Sequence, residues 1–99
     1  MNKEEKAFDD LDLTVGRAID DAVAALAAGD IDHALEALDR ALKASESNPI
    51  YSKRASTEFF RLEALALLCE QALEADDEPT SDVRSLIARA RALGQLTIH

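Results

Sequence analysis

The most apolar stretch of the chain runs from Phe59 to Leu73 and reads FFRLEALALLCEQAL. Placed on a helix at about 100° per residue, its apolar side chains cover most of the circumference, and its glutamates form a narrow polar stripe. A helix of this kind must be covered on several sides by other elements. The pattern therefore predicts a central helix around which the rest of the chain packs.

Two amphipathic helices precede this central helix. The first is predicted over residues 10–28 and the second over residues 30–45, with apolar residues at spacings of three and four in both. The stripe of the first helix consists of Leu11, Val15, Ala18, Ile19, Ala22, Val23 and Leu26. Gly29 is expected to end the first helix in the left-handed conformation, and Asp30 to cap the second. A connection this short predicts an antiparallel hairpin.

The central helix is predicted over residues 49–75, with Pro49 as its first residue. A fourth amphipathic helix is predicted over residues 81–93. Gly94 is expected to terminate it, which leaves residues 95–99 as a short tail.

The charged residues 1–8 are expected to be frayed. Gly16 falls inside the first predicted helix, where glycine costs about 1 kcal/mol relative to alanine. It indicates either a later start of that helix or the close approach of a neighbouring backbone. Together the four helices make residues 1–99 a single all-α domain, a small four-helix bundle built from antiparallel hairpins.

Composition and charge narrow the function classes. Helix formers dominate the chain, and its net charge is −9. An acidic chain lacks the clustered basic residues that nucleic acid and anionic membrane surfaces require, so we expect neither as a partner. One cysteine cannot form an intramolecular disulfide, and no apolar run approaches the roughly 18 residues that span a bilayer. We expect a cytoplasmic protein.

Residues 29–49, GDIDHALEALDRALKASESNP, resemble the second helix of a tetratricopeptide repeat. That pattern has a glycine ending one helix, a small residue five positions later, a large apolar residue four further on and a small residue three beyond that. Gly29, Ala34, Leu38 and Ala41 fit it. Pro49 comes later than the repeat expects, and no second copy follows at the repeat spacing. The resemblance implies a tetratricopeptide-like first hairpin, and protein or peptide binding without catalysis.

Candidate catalytic and metal-binding groups are few. His33 lacks the further His or Cys ligands that a zinc site needs, and Cys69 lies in an apolar seam where a thiol acts as a small hydrophobe. One acidic cluster lacks the EF-hand spacing. It consists of Glu74, Asp76, Asp77, Glu78 and Asp82. No phosphate-binding or nucleophile motif occurs, so we expect no enzyme, no metal, no cofactor and no small-molecule substrate.

The third helix also carries basic and aromatic residues close together, a combination enriched at protein interfaces. The candidates for an interface are Tyr51, Arg54, Phe60, Arg61, Leu67 and Leu68. The same aromatics could equally belong to the core, with the basic residues as their solvated rim. Both interpretations stay open here, and the interface is a serious candidate because three short helices have too little surface to cover the central helix completely.

The function that these patterns favour is a non-enzymatic protein–protein interaction module, acting as an adaptor, regulator or chaperone-like protein. Its uncovered apolar helical face would be closed by a protein partner or by a second copy in a homodimer. The alternative is an acidic inhibitor or antitoxin-like protein. In that case the acidic blocks at residues 9–21 and 70–82 would occupy a basic site on a target.

Overall fold

The chain folds as a small all-α bundle of two helical hairpins. The computed structural model describes residues 3–53, 57–74 and 80–98, with the backbone alone for residues 3–5, 74 and 96–98. The helices are α1 (Lys3–Ala27), α2 (Ile31–Glu46), α3 (Thr57–Glu74) and α4 (Ser81–Ile98), and a short 3-10 helix spans Tyr51–Lys53. No strand occurs among the described residues. The predicted all-α, four-helix architecture is confirmed.

The turn between α1 and α2 has the chemistry that its sequence predicts. Gly29 has a φ of +79°, in the region that favours glycine. The amide of Asp30 donates to the carbonyl of Ala25 at 2.8 Å, and the amide of Gly29 donates to that of Leu26 at 3.0 Å. The carboxylate of Asp30 then accepts from the amide of His33 at 3.1 Å. These bonds close the last turn of α1 and cap α2, which fixes the antiparallel hairpin.

The link between α2 and α3 differs from the prediction. The side chain of Asn48 accepts from the amides of Ile50 and Tyr51 at 2.9 and 3.2 Å, and the chain forms a 3-10 turn there. The predicted α-helical start at Pro49 is therefore not observed, and α3 begins at Thr57. Asn48 binds these amides as an N-cap residue does, but the helical turn that it begins ends at Lys53.

The first helix begins earlier, and the last helix ends later, than the sequence predicts. α1 begins at Lys3 rather than near residue 10, because Phe8 packs on Tyr51 at a ring-centroid distance of 5.9 Å and holds the first turns. α4 continues through Gly94 to Ile98, so Gly94 does not end the helix. Gly94 is buried, and a Cβ built on it would collide with the Cβ of Glu63. The absence of a side chain at Gly94 therefore lets α3 and α4 pack closely.

Ion pairs between helices define how the hairpins stack. On one side, Arg61 of α3 pairs with Asp20 of α1, so these helices run alongside each other. On the other side, Arg89 of α4 pairs with Glu46 of α2. Gly16 of α1 also lies beside Glu58, about one turn before Arg61 on α3, so α1 and α3 run in the same direction. The buried apolar residues of the four helices form one core. The α3 residues in that core are Phe59, Leu62, Leu65, Ala66 and Cys69.

Candidate functional site

The structure places Tyr51 in the core. Its side chain has no exposed area, and its hydroxyl donates to Oδ1 of Asp12 at 2.5 Å. Its ring lies 5.9 Å from that of Phe8 and 5.5 Å from that of Phe59, the latter edge to face. Tyr51 therefore joins the link after α2 to α1 and α3 and offers no surface to a partner. Of the two interpretations that the sequence allowed for the aromatic residues, Tyr51 fits the second, a place in the core.

Arg61 is at the surface, but its charge is balanced within the chain. Its guanidinium donates to Oε2 of Glu58 at 2.9 Å and also binds the carboxylate of Asp20. These hydrogen bonds, chiefly the one to Asp20, raise the pKa of Arg61 above its ordinary value. Arg61 thus links α3 to α1 through its ion pair with Asp20. Arg54, the other basic candidate, lies outside the described residues.

The remaining three candidates lie on one exposed face of α3. Phe60 is 45% exposed, Leu67 39% and Leu68 49%. Ala64 is exposed between them, and the spacing of these four residues brings them to the same side of a helix. We call Phe60, Ala64, Leu67 and Leu68 the α3 apolar face. It lies on the side of α3 opposite its core residues.

One further residue was assigned to the core by the sequence pattern and proves to be exposed. Val23 of α1 is 46% exposed, although it belongs to the predicted apolar stripe of that helix. It follows Asp20 by three residues and so lies about one turn along the same side of α1. Because Asp20 pairs with Arg61, this side of α1 borders α3. The apolar stripe predicted for α1 is wide, so a residue at its edge could be exposed. Which residue lies at that edge depends on how the neighbouring helix packs, and the sequence pattern does not show this.

The other exposed apolar side chains are not part of the α3 apolar face. Leu13 on α1 is 58% exposed and Ile50 in the link before α3 is 60% exposed. Single exposed residues of this kind are common on soluble proteins. Leu13 is useful as a reference, because it matches Leu68 in residue type and exposure.

The groups considered for chemistry are held in structural roles. Burial raises the pKa of Cys69 to about 11, so its thiol stays protonated at neutral pH. Nε2 of His33 lies 3.2 Å from Oδ2 of Asp21, and Arg40 donates to the same oxygen at 2.5 Å. The bond from Arg40, followed by that from His33, lowers the pKa of Asp21. This triad joins α1 to α2.

Two open clefts flank α2, one facing α4 and the other facing α1. The first is lined by residues that include Asp39, Leu86 and Arg89, and the second by residues that include Arg17 and Arg40. Among the described residues, no group of three or more His, Cys, Asp or Glu side chains is placed to hold a metal ion. In the same part of the chain, no helix has both the length and the apolar character to cross a membrane.

The α3 apolar face holds three of the six large apolar side chains that are exposed among the described residues. Comparisons with models of known protein families, with curated protein sequences and with solved structures found no match to this chain.

Proposed function

We propose that this protein is a non-enzymatic protein–protein interaction module, an adaptor, regulator or chaperone-like protein that binds a partner through the α3 apolar face. The observation that carries the proposal is the exposure of Phe60, Leu67 and Leu68 on one side of a helix whose other side fills the core. Contiguous exposed apolar surface on a helix is typical of binding sites, whereas single exposed apolar residues are not.

The energetic argument rests on the area available. A large apolar side chain presents about 200 Å² when fully exposed, so the fractions measured for Phe60, Leu67 and Leu68 leave roughly 270 Å² in water. At about 25 cal/mol per Å², complete burial would contribute roughly 7 kcal/mol before the cost of association. That is enough to support binding, provided that the partner supplies a matching apolar surface.

The charges beside the face support apolar burial as the main contribution. Arg61 is paired with Asp20 and Glu58, and Glu70 lies 3.6 Å from Arg91. Charges that are already paired gain less from a new partner than free charges do. The α3 apolar face is therefore bordered by groups that tolerate a partner and contribute modestly to its affinity.

The acidic-inhibitor alternative draws on the same net charge of −9. Within the described part of its acidic blocks, Asp20 holds Arg61, and Asp21 holds Arg40 and His33. Carboxylates engaged in this way are poorer ligands for a basic site on another protein. For this reason we place binding at the α3 apolar face rather than at the acidic block of α1.

Affinity capture with matched variants tests the proposal. We expect tagged wild-type protein to retain a specific partner from cells of its source, and Leu68→Gln to lose it. Leu13→Gln removes a leucine of α1 that is 58% exposed, against 49% for Leu68, and should retain the partner. Both substitutions keep the charge and a good helix former, so circular dichroism should show unchanged helicity. Retention by Leu68→Gln, or equal loss in both variants, would place the binding surface elsewhere.

A further inference from the structure

We propose that the occupant of the α3 apolar face is a cationic amphipathic helix of a partner protein, and not a second copy of this chain. This inference rests on the proposed function and adds the chemistry of the partner. It follows from the size of the face, from its geometry, and from the net charge of α3 and of the helices that adjoin it.

The size of the face argues against a homodimer. A stable interface buries about 800 Å² on each partner, with an apolar centre that makes up about two thirds of it in homodimers. Phe60, Leu67 and Leu68 provide roughly 270 Å² between them, given their exposed fractions. A second copy seated here would have to bury mostly polar surface around this centre.

The geometry suits a single helix. Phe60 and Leu68 are separated by about 12 Å along α3, which is a little over two helical turns. An amphipathic helix presents apolar side chains every three or four residues, so two to three turns would meet all three large side chains. Ala64 lies between Phe60 and Leu68 and leaves room for a side chain of the incoming helix.

The charge of the surroundings selects the sign of that helix. α1 contains seven acidic and three basic residues, a net charge of −4, and α3 contains four acidic and one basic, a net charge of −3. α4, which adjoins α3 through the Glu70–Arg91 pair, contains one acidic and three basic residues, a net charge of +2, so the three helices together carry −5. Because Asp20 and Asp21 are already paired within the chain, this negative charge acts at long range and not through new ion pairs. It repels a second copy, whose net charge is also −9, and attracts flanking Lys and Arg residues on a partner helix.

A synthetic peptide provides the direct test. The probe is a fluorescein-labelled helix of about 18 residues, with Leu on one face and Lys on the other, and its counterpart has Glu at every Lys position. Binding to the whole protein is measured by fluorescence anisotropy at about 50 and about 300 mM salt. Wild-type protein is compared with Leu68→Gln and with the matched control Leu13→Gln. Sedimentation velocity of the protein alone reports its oligomeric state.

We expect the Leu/Lys peptide to bind wild-type protein and the Leu/Glu peptide to bind at least about tenfold more weakly. Leu68→Gln should weaken the Leu/Lys peptide about tenfold, while Leu13→Gln changes it by less than about twofold. Affinity should also fall as the salt concentration rises.

Equal binding of both peptides, or equal effects of the two substitutions, would overturn the inference. A wild-type dimer that Leu68→Gln converts to a monomer would also overturn it, and would leave the proposed function standing with a second copy as the partner. If neither peptide binds but affinity capture still depends on Leu68, the partner chemistry is wrong and the binding face is right. Loss of that dependence in the capture experiment would remove both.

Discussion

Gly94 decides at the scale of a single residue how closely α3 and α4 approach. A Cβ at this position would overlap with the Cβ of Glu63, an atom fixed to the α3 backbone that cannot rotate away. Gly16 of α1 has a different environment. A Cβ there would have Oε2 of Glu58 as its nearest neighbour, at 3.3 Å, and that atom is the end of a flexible side chain. A side chain at position 94 would therefore force the helices apart, whereas a side chain at position 16 would require only that Glu58 moves.

Gly94→Ala is accordingly expected to lower the free energy of unfolding by about 1 kcal/mol. An overpacking cost of about 2 kcal/mol, in the middle of the usual range, is reduced by the gain of about 1 kcal/mol in helix propensity. Gly16→Ala should leave the protein as stable as before or raise its stability by up to about 1 kcal/mol, since Glu58 can move. Urea unfolding followed by circular dichroism measures both. A Gly94→Ala protein more stable than wild type would show that this contact does not set the helix spacing.

Local chemistry explains why some residues could be predicted from the sequence and others could not. Gly29 and Asp30 form a turn whose hydrogen bonds all lie within a few residues, so their roles follow from the sequence pattern. Gly94 follows a helical stripe in the same way as Gly29, yet it lies inside α4. What distinguishes the two is Glu63, a residue of another helix. Tyr51 likewise depends on Asp12, which is 39 residues away.

At the scale of elements, the α1–α2 hairpin is joined on its surface by Asp21. This carboxylate accepts from Arg40 at 2.5 Å and lies 3.2 Å from Nε2 of His33, so α1 contacts two positions of α2 through one side chain. Both partners lower the pKa of Asp21 below its ordinary value of 3.8. A carboxylate with a lowered pKa stabilises the folded state in its ionised form. The contribution is small because the triad is exposed to solvent.

The pH dependence of this contribution has a definite sign. The stabilisation by Asp21 is fully present above pH 3.8, its ordinary value, and is lost as the pH falls through the lower folded-state pKa. Asp21→Asn should therefore lower the urea midpoint at pH 7, and the difference from wild type should shrink below pH 3.8. Urea titrations at a series of pH values measure it. A difference that grows as the solution is acidified would contradict the assignment.

The elements themselves were largely predictable because each short helix carries a regular apolar stripe. The four helices and the antiparallel first hairpin follow from those stripes and from the turn at Gly29. The start of α3 did not follow. Asn48 caps a turn as an N-cap residue does, but that turn is a 3-10 helix over Tyr51–Lys53, and α3 begins at Thr57.

At the scale of the whole molecule, four helices cover a core but leave one side of α3 in water. The stripes of α1, α2 and α4 meet the α3 residues Phe59, Leu62 and Cys69, all of them buried. On the other side of α3, Phe60 and Leu68 are close to half exposed. The sequence predicted this shortage of cover from the number of apolar positions on α3. It could not show that Val23 of α1 would also be exposed on the side that borders α3.

The most direct test of the central claim, that the α3 apolar face is the binding surface, is site-specific photo-crosslinking in cells of the source. A photoreactive benzoylphenylalanine is placed at position 60, where the native side chain is an aromatic ring that is 45% exposed. The same group at position 13 on α1 is the control, because Leu13 is also exposed. We expect irradiation to give a discrete crosslinked species from position 60 and none from position 13. Crosslinking from position 13 alone, or none from position 60, would contradict the account.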